Sequence, residues 1–114
     1  MEVQGLFFAG VASAAADTLA AFFAEALGGE RVDEDGFSRV VFPNGSSLAL
    51  VPEGWVPPPS DTNLGFLVDD LDAATSELAA RGVPPEGEVG EGAGLRYRHF
   101  RAPDGRRFEL IERT

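Results

Sequence analysis

Residues 103–113 read PDGRRFELIER, and residues 43–53 read PNGSSLALVPE. Pro43 and Pro103, Gly45 and Gly105, and Leu50 and Leu110 recur identically, while Asn44 matches Asp104, Leu48 matches Phe108 and Val51 matches Ile111. Each copy carries a turn signal and then alternating apolar residues, the pattern of a hairpin tip and the strand that leaves it. Recurrence of this kind suggests one supersecondary unit used twice. It also supplies an internal ruler: Glu109 stands where the first copy has Ala49.

Outward from these stretches, the two halves share one order of elements. Residues 3–11 form an apolar run of strand length. Residues 14–27 carry Leu19, Phe22, Phe23, Ala26 and Leu27, a spacing that puts them on one face of a helix. Ser13 is the expected N-cap and Gly28-Gly29 the stop. Strands are expected at 31–34, 37–42 and 47–51, the last two joined by Asn44-Gly45. Residues 53–62, EGWVPPPSDT, hold three consecutive prolines and no periodicity, as a stiff linker does. The pattern then restarts with a strand at 63–68. Asp70 caps a helix carrying Leu71, Ala74, Leu78 and Ala79, ended by Gly82. Residues 86–94, rich in Gly and Glu, read as a mobile loop with at most a weak strand. Strands at 95–101 and 107–112 close the last hairpin around Pro103-Asp104-Gly105. The expected organisation is a single domain, 1–114, with a module at about 1–53, a linker at 54–62 and a module at about 63–114. Its expected core is Phe22, Phe23, Leu27, Leu48, Leu50, Leu71, Leu78, Phe108 and Leu110, each contributing about 1.5–3 kcal/mol.

Composition bounds the function. The chain of 114 residues is 44% hydrophobic and 25% charged, ordinary for a globular protein. No apolar run approaches the roughly 20 residues of a membrane span, and no basic segment precedes the first apolar stretch as in a signal peptide. Cysteine is absent, so disulfides, thiolate metal sites and cysteine nucleophiles are excluded. A cytoplasmic location is the expectation. The net charge of −10 repels phosphate backbones and argues against nucleic-acid binding. It either serves solubility or draws in a cationic ligand. Neither a Ser-His-Asp pattern nor a Gly-rich phosphate loop is present.

Three motifs carry a family resemblance: residues 11–29 ending in FFAEALGG, residues 64–82 (LGFLVDDLDAATSELAARG), and residues 100–111 (FRAPDGRRFELI). With two strand-helix-strand-strand-strand modules of this size, the chain resembles the vicinal oxygen chelate superfamily of glyoxalase I, bleomycin resistance proteins and extradiol dioxygenases. The resemblance implies a mixed α+β fold of two βαβββ modules, their sheet curled into a cup with the helices outside. It also implies assembly of modules across subunits, and the open sheet edges point the same way, to a homodimer.

Metal-dependent members of that family place one ligand on the first and one on the last strand of each module, with His, Gln or Glu as donors. Matching the motifs puts Phe8, Ala49, Asn63 and Glu109 at those places. Phe8 and Ala49 have no donor atom, Asn63 offers a poor amide carbonyl, and Glu109 alone fits. The remaining donor is His99, the only histidine, which a hairpin with a three-residue loop would set across from Glu109. His99 and Glu109, helped by Asn63, would make the alternative metal site. Glu109 alternates with Phe108 and Leu110. If those two pack under a helix, Glu109 faces the other way, there to bind a ligand, to act as a base, or to pair with Arg107 or Arg98. Tyr97, Trp55, Phe8 and Phe42 would make the surroundings aromatic, as a small-molecule pocket tends to be.

The expected function is therefore metal-free binding, by sequestration, of a cationic or aromatic small molecule, as in the bleomycin-resistance branch. The expected ligand-binding residues are Glu109, His99, Asn63, Phe8, Tyr97 and Trp55, with no cofactor. The alternative is a glyoxalase- or dioxygenase-type enzyme holding a divalent metal through His99 and Glu109.

Overall fold

The computed structural model describes residues 1–114. Eight strands and two helices follow in the order β1 (Val3–Ala12), α1 (Ala16–Leu27), β2 (Glu30–Asp33), β3 (Ser38–Val41), β4 (Ser47–Val51), β5 (Thr62–Val68), α2 (Leu71–Ala80), β6 (Glu86–Gly92), β7 (Leu95–Arg101) and β8 (Arg107–Arg113). This is the mixed α+β, βαβββ-repeated fold that the sequence implies. The chain forms two compact units, one of Phe8–Asn63 and one of Met1–Phe7 with Leu64–Thr114.

In the unit of Phe8–Asn63 the strands run β2-β3-β4-β1. Its first and last strands pair in parallel, with Gly10 beside Ala49. In the other unit the order is β5-β8-β7-β6. Here β5 and β8 pair in parallel, with Gly65 beside Glu109. Ala49 and Glu109 therefore hold the same register in their modules, as the repeat predicts. The hairpin tips agree bond for bond. Phe42 N–H donates to the Ser46 carbonyl at 2.9 Å, and Ala102 N–H to the Arg106 carbonyl at 2.8 Å. Asn44 and Asp104 each accept from the backbone N–H two residues on, at 2.9 and 3.0 Å. Gly45 and Gly105 adopt φ of 87° and 88°, which a side chain would oppose.

The helix α1 departs from the expected face. Ala20, Val40 and Leu50 are fully buried, and Ala16, Leu19, Phe23 and Ala24 pack around them. Phe22 and Leu27 are 58% and 59% exposed, so neither belongs to the core. Two stripes of equal period compete on this alanine-rich helix. The one with Ala16, Ala20 and Ala24 wins because small residues let the helix sit close on β3 and β4 while Leu19 and Phe23 fill its margins. Phe42 also packs in this cluster, under α1, rather than on the opposite face. Ser13 does not cap the helix as expected. The N-cap is Ala15, whose N–H donates to Ser13 Oγ at 3.0 Å. Gly28 ends α1 with φ 73° as anticipated. Arg31 ties α1 to β2: it pairs with Asp17 in the first helical turn and donates to Asp33 Oδ1 at 2.9 Å, while Ser38 Oγ donates to the same oxygen at 2.7 Å.

In the unit containing β5–β8, Val68, Leu71, Ala74, Phe100 and Leu110 form the core, with Phe66, Leu78, Val83, Val89 and Phe108 packed on it. Asp70 caps α2 through its Oδ1, which accepts from Ala73 N–H at 3.0 Å. Glu112 accepts from Leu71 N–H at 2.7 Å, satisfying a second orphan donor of that helix. Residues 86–92 correct the expectation of a mobile loop. They form a full edge strand on β7, with a register shift between Glu86 and Gly90 that accommodates the glycines. No helix is long and apolar enough to cross a membrane.

Phe100 is fully buried and stacks on Phe108 with centroids 5.7 Å apart. Phe100→Ala is expected to cost about 3–5 kcal/mol, read by urea denaturation. Hydrogen bonds from Ser38 and then Arg31 hold the Asp33 carboxyl below its ordinary 3.8. A depressed carboxyl contributes stability in full above its unfolded value and loses it as pH falls through its folded value. Asp33→Asn is thus expected to flatten the acid side of the stability profile below about pH 4, read by thermal melts from pH 2 to 6.

Candidate functional site

Alternation along β8 assigns its faces. Phe108 and Leu110 pack against the α2 cluster, which turns Arg107, Glu109 and Ile111 to the face without a helix. On β7, Tyr97 pairs with Ile111, His99 with Glu109 and Arg101 with Arg107, so these side chains share that face. On β6, Glu86 pairs with His99 and Gly90 with Tyr97.

Glu109 is 6% exposed, the one charged residue that is buried. A carboxylate taken from water requires a donor, and His99 Nε2 provides it at 3.1 Å. Neither Arg107 nor Arg98 is the partner: Arg98 Nε instead donates to the Gly87 carbonyl at 3.2 Å. The His99 side chain is 24% exposed and joins the buried carboxylate to solvent. The Tyr97 ring stands edge-on to the imidazole, centroids 5.6 Å apart. Tyr97 keeps its place because position 90 is a glycine: a Cβ there would meet the Tyr97 ring at 2.3 Å.

Charge extends along the same face. Arg101 grips Glu86 in a fork, Nε to Oε2 at 2.5 Å and Nη2 to Oε1 at 3.0 Å. The Arg101 hydrogen bonds hold the Glu86 carboxyl below the usual carboxylate range, and the nearby Arg107 and His99 act in the same direction. Arg107 Nε is shut off from solvent and has no hydrogen-bond partner. Glu86, Arg101 and Arg107 were not named as site residues from the sequence. The alternation Tyr97, His99, Arg101 was the available signal, but the strand bearing Glu86 read as loop.

The other expected site residues lie in the Phe8–Asn63 unit. Phe8 packs with Ala49, Val51 and Val56 in an apolar cluster, Val56 being a buried residue of the proline-rich segment. Trp55 is 49% exposed and rests on Phe37, centroids 5.8 Å apart. Asn63 is 4% exposed, and its side-chain oxygen has no hydrogen-bond partner. Of the six residues singled out, the structure thus brings Tyr97, His99 and Glu109 together on one face. The equivalence of Ala49 and Glu109 sharpens their contrast, since one module packs carbon where the other holds a carboxylate.

The family model for the glyoxalase/bleomycin resistance protein/dioxygenase superfamily matches residues 7–110. The chain belongs to this superfamily. No curated protein matches it. Among solved structures, a methylmalonyl-CoA epimerase from Mycobacterium tuberculosis is similar, with TM-score 0.69, 22% identity and coverage of 98% of this chain and 89% of that one. A variant of the Streptomyces coelicolor methylmalonyl-CoA epimerase, in complex with 2-nitronate-propionyl-CoA, gives TM-score 0.70 and 18% identity, covering 99% of each chain. A superfamily member from Vibrio splendidus 12B01 gives 0.67 and 19%, covering 97% of this chain and 99% of that one. At such identities the likeness speaks for the superfamily fold.

Gly90→Ala is expected to displace the Tyr97 ring and lower stability by about 1–3 kcal/mol. The chain has one Tyr and one His, so their ring proton resonances report the lost contact without assignment ambiguity.

Proposed function

We propose that this member of the superfamily is a small-molecule binding protein that sequesters a ligand bearing an ammonium or other donor group. The observation that carries the reading is the buried Glu109 carboxylate, aligned by His99 at 3.1 Å and flanked by Tyr97. A shielded carboxylate favours a cation or a strong donor, and the flanking aromatic ring offers it a π face. The net charge of −10 raises the local concentration of cations.

The same geometry supports the metal-free form of this reading. His99 and Glu109 are two donors, and no group of three or more His, Cys, Asp or Glu converges to hold a metal. Catalytic sites generally use three protein ligands. The second reading is a metal-dependent enzyme of the glyoxalase or dioxygenase type. The dyad itself favours it, since an imidazole and a carboxylate brought together on one face are two of the donor types such a metal takes. The protein would act as a homodimer, because β2 and β6 each end a module's strand order with an open edge. Sedimentation at tens of micromolar tests that against the 12.1 kDa chain mass.

Benzylamine, an aromatic ammonium, is the probe for the binding reading. Wild-type protein is expected to bind it in calorimetric titration, and Glu109→Gln to weaken it by about 1.5–3 kcal/mol while leaving the fold intact. Stoichiometric zinc, nickel or iron after mild purification, lost in the Gln variant together with turnover, would establish the enzyme instead.

A further inference from the structure

Asn44 and Gly45 lie at the tip between β3 and β4, and both are exposed. Asparagine followed by glycine is a labile pair, because no side chain shields the next backbone nitrogen from the amide carbon. The turn adds to this. Asn44 Oδ1 accepts from Ser46 N–H at 2.9 Å and from the Ser46 hydroxyl at 2.6 Å. These bonds fold the side chain back along the main chain and bring its amide carbon toward the Gly45 nitrogen. They also place two donors on the oxygen that gathers charge when that carbon is attacked. The opposing bond runs from Gly45 N–H to the Phe42 carbonyl at 2.9 Å, a single contact at an exposed tip. The equivalent tip of the second module supplies the contrast. Asp104 Oδ1 accepts from Arg106 N–H at 3.0 Å, and Oδ2 accepts from Arg106 Nε at 2.6 Å. Those bonds hold its carboxyl below the ordinary 3.8, and an ionised carboxylate is a poor electrophile. Asn63, the only other asparagine, is 4% exposed and is followed by leucine.

We propose that Asn44 is a site of spontaneous deamidation in the folded protein, assisted by the two Ser46 donors. The Gly45 nitrogen loses its proton to hydroxide and bonds to Asn44 Cγ. The C–N bond of the side-chain amide breaks, and ammonia leaves with a proton from water. A second water then opens the cyclic imide. Opening at Cγ gives aspartate, which repeats the Asp104 tip. Opening at the main-chain carbonyl gives isoaspartate, whose backbone is one carbon longer and no longer fits the Phe42–Ser46 bond that closes the hairpin. Either product adds one negative charge. The tip belongs to the Phe8–Asn63 unit, and the inference does not depend on the binding reading above.

The test ages the purified protein at mildly alkaline pH beside a short peptide of sequence VFPNGSS, which is residues 41–47. Mass spectrometry is expected to show a gain of about one dalton per chain. Peptide mapping should confine it to the fragment holding Asn44 and resolve aspartate and isoaspartate products of equal mass. Asn63 should keep its amide, and Asp104 its ordinary linkage. The rate should rise with pH, because the attacking nitrogen must lose a proton. Asn44→Gln, whose longer side chain closes a six-membered ring far more slowly, should block the gain. Ser46→Ala removes the hydroxyl donor and keeps the N–H. It should slow the folded protein by about threefold or more and leave the peptide within about twofold. An amide that survives in the folded protein while the peptide converts fully overturns the proposal. A mass gain that persists in Asn44→Gln does the same. Equal rates for folded wild-type protein and Ser46→Ala overturn the assistance by the turn.

Discussion

Gly65 lies beside Glu109 across a parallel pair of strands, and Gly10 lies beside Ala49 across another. A parallel partner cannot be reached through a tight turn. The chain must cross over, and here it does so through a helix and two further strands. Once the first and last strands of a module are in register, the alternation of side chains is no longer free. Phe108 and Leu110 must go to the helix, and Glu109 must go to the opposite face. The hairpin tips fix the antiparallel register of β3 with β4 and of β7 with β8, because Gly45 and Gly105 hold the left-handed conformation that the turn needs.

That constraint brings a carboxylate to a place with little water. Its neighbours follow from the need to satisfy it. His99 arrives because antiparallel pairing puts it directly across the ladder. The fork between Arg101 and Glu86 joins the end of β7 to the start of β6, the edge strand of its module. The face is thus a graded row, from the shielded dyad to the partly exposed ion pair, rather than a uniform acidic surface.

The two modules show how one backbone accepts opposite chemistries. At the position of Ala49, Phe8, Val51 and Val56 close an apolar cluster. At the equivalent Glu109, tyrosine, histidine and arginine gather on one face. Both solutions obey the same rule, that whatever is removed from water must meet its own kind. Carbon meets carbon in one, and charge meets donor in the other. Fold alone therefore does not decide what such a module does.

The sequence by itself determined the repeat, the order of elements, the turns and the equivalence of Ala49 with Glu109. These are local or periodic properties: a glycine at a turn, an acid at Asp70 capping a helix, a pairing register set by hairpin length. It also placed His99 opposite Glu109, because a short hairpin leaves one register. Tertiary structure decided what local pattern leaves degenerate. Two helical faces of equal period were available on α1, and only packing against Val40 and Leu50 selected the alanine stripe over Phe22 and Leu27. The Gly- and Glu-rich segment at 86–92 has almost no strand propensity, and it became β6 because β7 offered an unpaired ladder beside it. The pairing of Arg101 with Glu86 followed from that strand, since ion pairing depends on which charges the finished sheet sets side by side.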